Sequence, residues 1–269
     1  MRLLTIREVQ TMQLELMKKL HIYLEDRHIP YYMLAGSVLG AVRHGGFIPW
    51  DDDIDIGMLR PDYNRFLSVC GDFDGGYDIV NYHNRRHCDT CLTRICFPNT
   101  RIENPSIANT ALDQRLYFDI FPLDNIPDNE AEREKLEKKL LKIKTQLLYA
   151  DVRNYGNPGY VIFAKKARAL LLAPRREKLL KKCDALMQSY QEHTTRCICS
   201  MCSQYSFKKQ TMPRAYYGVP TLHCFEDAAF YIPERSEDYL RHLYGEDYME
   251  IPPVERRRKG YAIYKTDED

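Results

Sequence analysis

An α/β fold with a helical middle segment follows from three features of this sequence. Acid and aliphatic residues alternate over Asp53-Ile54-Asp55-Ile56-Gly57-Met58, the pattern of a half-buried strand. An aromatic and aliphatic run, Tyr31 to Leu34, leads through Gly36-Ser37 into a helical pattern. A charged stretch from Ala131 to Tyr149 carries helical spacing. Together they predict an α/β core over about 30–125, a helical middle at about 126–192, and a return to the core at about 193–255. With 269 residues and 44% hydrophobic content, the chain can bury that core as one domain.

Each element has its own signal. Val9, Met12, Leu16, Leu20 and Tyr23 form the apolar stripe of a helix from Arg7 to Asp26. Pro30 ends the approach to the first core strand, and Gly36-Ser37 makes a tight turn with Ser37 as N-cap of a helix over Val38–Arg43. Pro61 opens a helix running through Arg65 to Cys70. Gly71, Gly75 and Gly76 mark a loop before a strand over Tyr77–Tyr82. Leu116 to Leu123 reads as an apolar strand with one acid, Asp119. Asp128-Asn129-Glu130 caps the helix that follows, Asn154 to Gly159 is turn-rich, and a second helical segment runs to about Tyr190 with a break at Pro174. Cys197 to Cys202 fits a semi-buried strand, and the last dozen residues are expected to be loosely ordered.

The chemistry concentrates where Asp51, Asp52, Asp53 and Asp55 place four carboxylates in five positions. Such crowding raises carboxylate pKa values and opposes folding unless a cation neutralises it. On a period-two strand, Asp53 and Asp55 share one face, half of a hard-cation site of the Mg²⁺ or Mn²⁺ type. A solvated acidic turn is the alternative, and the buried alternation of Ile54 and Ile56 argues against it. Asp119, alone in an apolar strand, needs a partner: either an Arg or the same cation, as a third ligand. The Gly36-Ser37 turn before a helix offers backbone N–H groups to a phosphate. An EF-hand count also fits Asp51, Asp53, Asp55 and Asp62, but Ile56 stands where that loop needs Gly, and Pro49 and the strand pattern oppose it.

The run Arg43-His44-Gly45-Gly46-Phe47-Ile48-Pro49-Trp50 into Asp51-Asp52-Asp53-Ile54-Asp55-Ile56-Gly57, preceded by Gly36-Ser37, resembles the signature of the LicD family, phosphocholine transferases related to the fukutin proteins. Phe118-Asp119-Ile120-Phe121-Pro122-Leu123-Asp124 is similar to the family's second block. Phe225-Glu226-Asp227, Ile232-Pro233, Tyr239-Leu240, Tyr244 to Tyr248 and Pro252-Pro253 resemble its C-terminal block. The resemblance implies a nucleotidyltransferase-type mixed sheet with Asp53, Asp55 and Asp119 as metal carboxylates. It also implies a CDP-alcohol donor, most often CDP-choline, and a glycan acceptor such as a lipopolysaccharide or teichoic acid, free or lipid-linked. Gly36, Ser37, Arg43 and Arg94 are the donor-binding candidates. The alternative chemistry, nucleotidyl transfer to a small molecule or sugar phosphate, uses the same carboxylates. Two departures stand out. Relatives carry Lys-Leu-Arg where this chain has Arg94-Ile95-Cys96, so the first basic position is kept and the second is not, and their His-containing tail is replaced here by Arg256 to Gly260. Choline calls for an aromatic cage, with Trp50 one candidate among the aromatics.

A net charge of +1 gives no reason to expect a nucleic-acid partner. Neither a signal-peptide pattern nor a membrane-length apolar run appears, so a cytoplasmic protein is expected. From Lys165 to Lys182, eight Lys and Arg residues face one acid, Glu177, with Val161 to Phe163 and Leu170 to Leu172 interleaved. That pattern predicts either a solvated face packed on the core or a peripheral contact with anionic lipid at the inner membrane face. Nine cysteines in a chain of this size read as reduced thiols. Cys88 with Cys91, and Cys197 and Cys199 with Cys202, have spacing that zinc could use, without support from the resemblance.

Overall fold

Thr5 starts the first helix by a reciprocal cap. Its hydroxyl accepts the Glu8 backbone N–H at 3.3 Å, while the Glu8 carboxylate accepts the Thr5 N–H at 2.8 Å. The computed structural model describes residues 1–73, 75–108, 110–152, 159–257 and 260–266, except the side chains of residues 159 and 160. In its first half run β1 (Arg2–Leu3), α1 (Ile6–Asp26), β2 (Tyr32–Met33), α2 (Ala35–His44), β3 (Asp55–Leu59), α3 (Arg60–Val69), β4 (Asp78–Val80), β5 (Thr93–Cys96), β6 (Thr100–Glu103) and β7 (Tyr117–Asn125). Then follow α4 (Glu130–Tyr149), α5 (Gly159–Leu172), α6 (Arg176–Met187), β8 (Cys197–Cys199), α7 (Phe207–Gln210), β9 (Thr211–Pro213), α8 (Arg214–Tyr217), β10 (Thr221–Phe225), β11 (Ala228–Ile232), α9 (Ser236–Tyr244) and β12 (Ala262–Lys265).

The main sheet is mixed, as an α/β fold requires, with strand order β2-β3-β7-β5-β4 and β8 and β9 continuing from β7. Only β3 and β7 pair in parallel; the other ladders of this sheet are antiparallel. The core lies between this sheet and α1, whose Leu16, Met17, Leu20 and Leu24 are fully buried. It therefore begins well before residue 30. A second cluster joins α4 and α6 through Leu136, Leu140, Leu147, Leu180 and Met187. This is the helical middle, and Asn129 caps α4 by accepting the Glu132 N–H at 3.1 Å. The turn-rich stretch expected at 154–159 falls, up to residue 158, outside the described residues.

A buried ion network ties the two clusters together. Arg60, at the start of α3 and 2% exposed, bonds Asp124 of β7 through Nε at 2.6 Å and Nη2 at 2.8 Å. Its Nη1 reaches Asp184 of α6 at 3.0 Å, and Asp184 also accepts the Tyr82 hydroxyl at 2.7 Å. Burial pushes the Asp124 carboxyl up to about 6, against the opposing pull of Arg60.

Several expectations need correction. Ser37 is not an N-cap: α2 begins at Ala35, behind Leu34, and Ser37 sits inside it. β3 starts at Asp55, so Asp53 precedes the strand, although the alternation still buries Ile54 and Ile56 completely. The C-terminal stretch is not loose throughout, because Ala262–Lys265 pairs with both β1 and β6. Arg176 is no surface cation; it is buried against Asp151, with Nη2 to Oδ1 at 2.6 Å.

Candidate functional site

Strand register assembles the site. Asp55 on β3 lies opposite Asp119 on β7, and Arg94 on β5 lies opposite Asp119 from the other side. Two carboxylates and a guanidinium from three strands thus share one face, and they line a cavity of about 520 Å³ together with Asp53. The rest of the wall includes Tyr117, Tyr205 and Tyr239, and Leu141, Thr145 and Leu148 of α4.

Arg94 carries the local electrostatics. Its Nε donates to Asp119 Oδ1 at 3.0 Å, its Nη1 lies 3.5 Å from Asp89 Oδ1, and its guanidinium stacks 4.4 Å from the Tyr117 ring centre. Burial raises the Asp119 pKa, and Arg94 opposes that rise. Burial works against the Arg94 cation too, but the charges of Asp119 and Asp89 outweigh it and hold its pKa above the ordinary value. Asp119 therefore has the arginine partner that one sequence reading required, and it pairs in register with Asp55.

The Gly36-Ser37 segment serves the site from behind. Ser37 Oγ accepts the Asp55 backbone N–H at 2.9 Å, fixing the strand where the carboxylate departs. A Cβ on Gly36 would fall 2.7 Å from Asp51 Oδ2, so only glycine lets the first turn of α2 approach the acid run this closely. Ala35 beside it holds φ at +44° and lines the cavity; its N–H donates to the Tyr239 hydroxyl at 2.9 Å. A non-glycine residue in that conformation is strained and is held there by its surroundings. Gln10 of α1 pins the acid loop through the carbonyls of Ile48 at 3.3 Å and Asp51 at 2.9 Å.

One oxygen from each of Asp51, Asp52 and Asp53 lies within 4.8 Å of the others, the one such group of three among the described residues. Asp53 belongs both to this run and to the cavity wall. Carboxylate oxygens are the donors that hard divalent cations take, so Asp53, Asp55 and Asp119 suit such an ion by donor type.

Other candidates lie elsewhere. Arg43 does not line the cavity; its Nη1 donates to the carbonyls of Tyr248 and Glu250, each at 2.9 Å. Trp50 is also outside the cavity wall, stacked 4.2 Å from the Arg257 guanidinium. The EF-hand count fails because Asp62 sits in α3, bonded to Arg65 at 3.1 Å. All nine cysteines are free thiols. The Cys-x-x-Cys segments do converge on the second cluster, yet no cysteine belongs to a metal-ligating group among the described residues. Cys91 Sγ instead points to the Leu180 carbonyl at 3.6 Å, near Cys183, which spacing alone did not single out. Asp89 and Tyr205 were also missed, since each sits in a loop where no periodicity marks it.

Residues 28–139 match the family described as LicD/FKTN/FKRP, nucleotidyltransferase domain. Over 96% of its length the chain is 28% identical to lipopolysaccharide cholinephosphotransferase LicD of Haemophilus influenzae, of which it covers 96%. A 48-residue stretch, 18% of this chain and 10% of the relative, is 49% identical to human ribitol 5-phosphate transferase FKRP. An uncharacterized protein of Rickettsia typhi is 43% identical over 72 residues, 26% of this chain and 23% of that protein. The acid run, the Gly36-Ser37 segment and the Asp119 strand all fall inside the matched 28–139, so the site lies within the part of the chain that is similar to the LicD/FKTN/FKRP nucleotidyltransferase domain.

Proposed function

We propose that this chain is a divalent-cation-dependent transferase. It moves phosphocholine, or a related alcohol phosphate, from a CDP-alcohol to a hydroxyl of a cell-surface glycan or its lipid-linked precursor. The observation that carries this reading is the register that sets Asp55, Asp119 and Arg94 side by side in one cavity with Asp53. The names of the relatives, a cholinephosphotransferase and a ribitol 5-phosphate transferase, support the choice of an alcohol phosphate.

Asp53, Asp55 and Asp119 would hold Mg²⁺ or Mn²⁺, which when bound neutralises the diphosphate and the departing nucleotide. Arg94, already fixed by Asp119 and Asp89, sets a planar positive group where a phosphate oxygen can accept from it. Tyr205 offers aromatic surface for a quaternary ammonium, whereas one face of Tyr117 is taken by Arg94 and Tyr239 is buried against Tyr217. As the acceptor oxygen bonds to phosphorus and CMP leaves, a carboxylate of Asp53 or Asp119 takes the hydroxyl proton. The Gly36-Ser37 segment acts by positioning Asp55 and the acid run.

The test is a donor screen. The protein, Mg²⁺ or Mn²⁺ and glycan acceptors are incubated with CDP-choline, CDP-ribitol or CDP-glycerol, and CMP release is measured. CDP-choline should be preferred, and Asp53→Asn and Asp55→Asn should each abolish release while far-UV circular dichroism stays unchanged. Undiminished release in EDTA would reject the cation. Transfer of the nucleotide itself, to a small molecule or sugar phosphate, is the second reading, favoured by the description of the matched domain. Pyrophosphate released from a nucleoside triphosphate, with no CMP from any CDP-alcohol, would establish it instead.

A further inference from the structure

The helix α5 turns an apolar face to water. Phe163, Ala167, Leu170, Leu171 and Pro174 recur at helical spacing from α5 into the turn after it, all exposed, with Phe163 at 73%, Leu170 at 77% and Leu171 at 70%. A helix that served only to pack on the core would bury this stripe. In α5 the stripe faces outward, and Ala169 is its one buried residue among those described. Exposed apolar side chains grouped at this density on one face mark an interaction surface.

The charges beside the stripe say what it meets. Lys166, Arg175, Lys178 and Lys182, all exposed, flank it along the chain; Arg176 is buried, Lys181 pairs with Glu177 at 2.6 Å, and Arg168 is stacked on Tyr149. Glu177 is the one acid from residue 165 to 182. An apolar stripe rimmed by cations complements a surface with anionic headgroups above hydrocarbon. A protein partner's apolar groove would not by itself call for so one-sided a charge.

The patch also has a position relative to the cavity. Arg168 stacks 3.4 Å from the ring centre of Tyr149 at the end of α4. Leu141 and Leu148 of α4 are exposed at 53% and 43%, and both line the cavity. The face of α5 opposite the stripe is thus seated on α4, the helix that also lines the cavity. No helix among the described residues is long and apolar enough to cross a membrane, so the contact is one of lying on the surface.

We infer that α5 and the turn after it form a peripheral docking surface for an anionic lipid bilayer. The inference stands apart from the reaction assigned to the cavity, and its test reads binding alone. The full chain is floated with vesicles of phosphatidylcholine, or of phosphatidylcholine with phosphatidylglycerol, at low and high salt. Binding should occur on the anionic vesicles at low salt and fall steeply at high salt. Each of Lys166→Glu, Lys178→Glu and Lys182→Glu should weaken partitioning by roughly fivefold or more. The combined Phe163→Ser, Leu170→Ser, Leu171→Ser variant should lose binding with an unchanged circular dichroism spectrum. No flotation at low salt overturns the inference, as does equal binding by the serine variant. A dimer in analytical ultracentrifugation that the serine variant dissolves, without vesicle binding by the parent, would assign the face to a second copy of the chain and overturn it equally.

Discussion

Replacing Arg60 by Met tests the ion network that joins the sheet to the helical middle. The substitution keeps the apolar stem and removes two bonds to Asp124, at 2.6 and 2.8 Å, and one to Asp184 at 3.0 Å. Asp124 is completely buried and keeps Gln191 as a side-chain partner at 3.1 Å, so it becomes a charge without its counter-charge. Removing one member of a buried pair costs about 3–5 kcal/mol. That is a large share of the ~5–15 kcal/mol that holds a typical protein folded. At roughly 2–4 °C per kcal/mol the melting midpoint should fall by roughly 6–20 °C. The loss also has a sign in pH. The Asp124 carboxyl, raised from 3.8 to about 6, binds its proton more tightly folded than unfolded, so its contribution to stability declines as pH rises through that window. Without Arg60 the carboxyl rises further, and the variant should be more destabilised at pH 7.5 than at pH 5. Urea denaturation followed by circular dichroism at both pH values measures this. A loss below about 1 kcal/mol at pH 7.5, or one equal at the two values, would refute the reasoning. Arg60→Met with Asp124→Leu should recover part of the loss, since the fully buried charge leaves with its partner while Asp184 keeps the Tyr82 hydroxyl and the Gln188 amide.

Three further outcomes are expected. Gly36→Ala places a methyl group 2.7 Å from Asp51 Oδ2; the carboxylate can swing away, so the melting midpoint should hold within roughly 3 °C while CMP release falls, and unchanged release would detach the acid run from function. Cys224 is the exposed thiol, whereas burial pushes Cys96 and Cys202 up to about 12; Ellman's reagent on the native protein should therefore show one fast thiol that Cys224→Ser removes. Bonds from the Thr5 backbone, Arg2 and the Thr5 hydroxyl hold Glu8 at about 2, below its ordinary 4.5, so its share of stability is present above pH 4.5 and disappears as pH falls toward 2. Glu8→Gln should flatten that acid limb in a melting series, and an identical pH profile would contradict the cap.

What was readable in the sequence was what local pattern determines. The alternation that buries Ile54 and Ile56 revealed a strand beneath the acids, and Asn129 and Pro61 marked helix starts from chemistry confined to one turn. What escaped depends on contacts between distant segments. Ser37 looked like a helix cap because its neighbours are small, but its hydroxyl is engaged by the Asp55 N–H, which only the folded sheet brings near. Arg43 and Trp50 sit within the motif, yet the 248–257 segment draws both away from the cavity. β12 is four residues long beside a polar tail, and it becomes a strand because β6 and β1 offer open edges on either side. The apolar stripe of α5 has the spacing of a core helix, so periodicity alone could not say that it faces water.

The register of β3 against β7 limits how the chain can change in length. Asp55 and Asp119 meet because two parallel strands align at those two residues, and side chains alternate faces at every step. Deleting or inserting one residue within Ile56–Leu59 leaves that meeting in place but turns the strand's remaining side chains inside out. The same event between Asp53 and Asp55 separates the acid run from its strand partner. By contrast, the loop between β6 and β7 can lengthen without moving either carboxylate, because the ladder rather than the loop sets their alignment. Length polymorphism among functional descendants of this chain should therefore gather in that loop and spare the two strands.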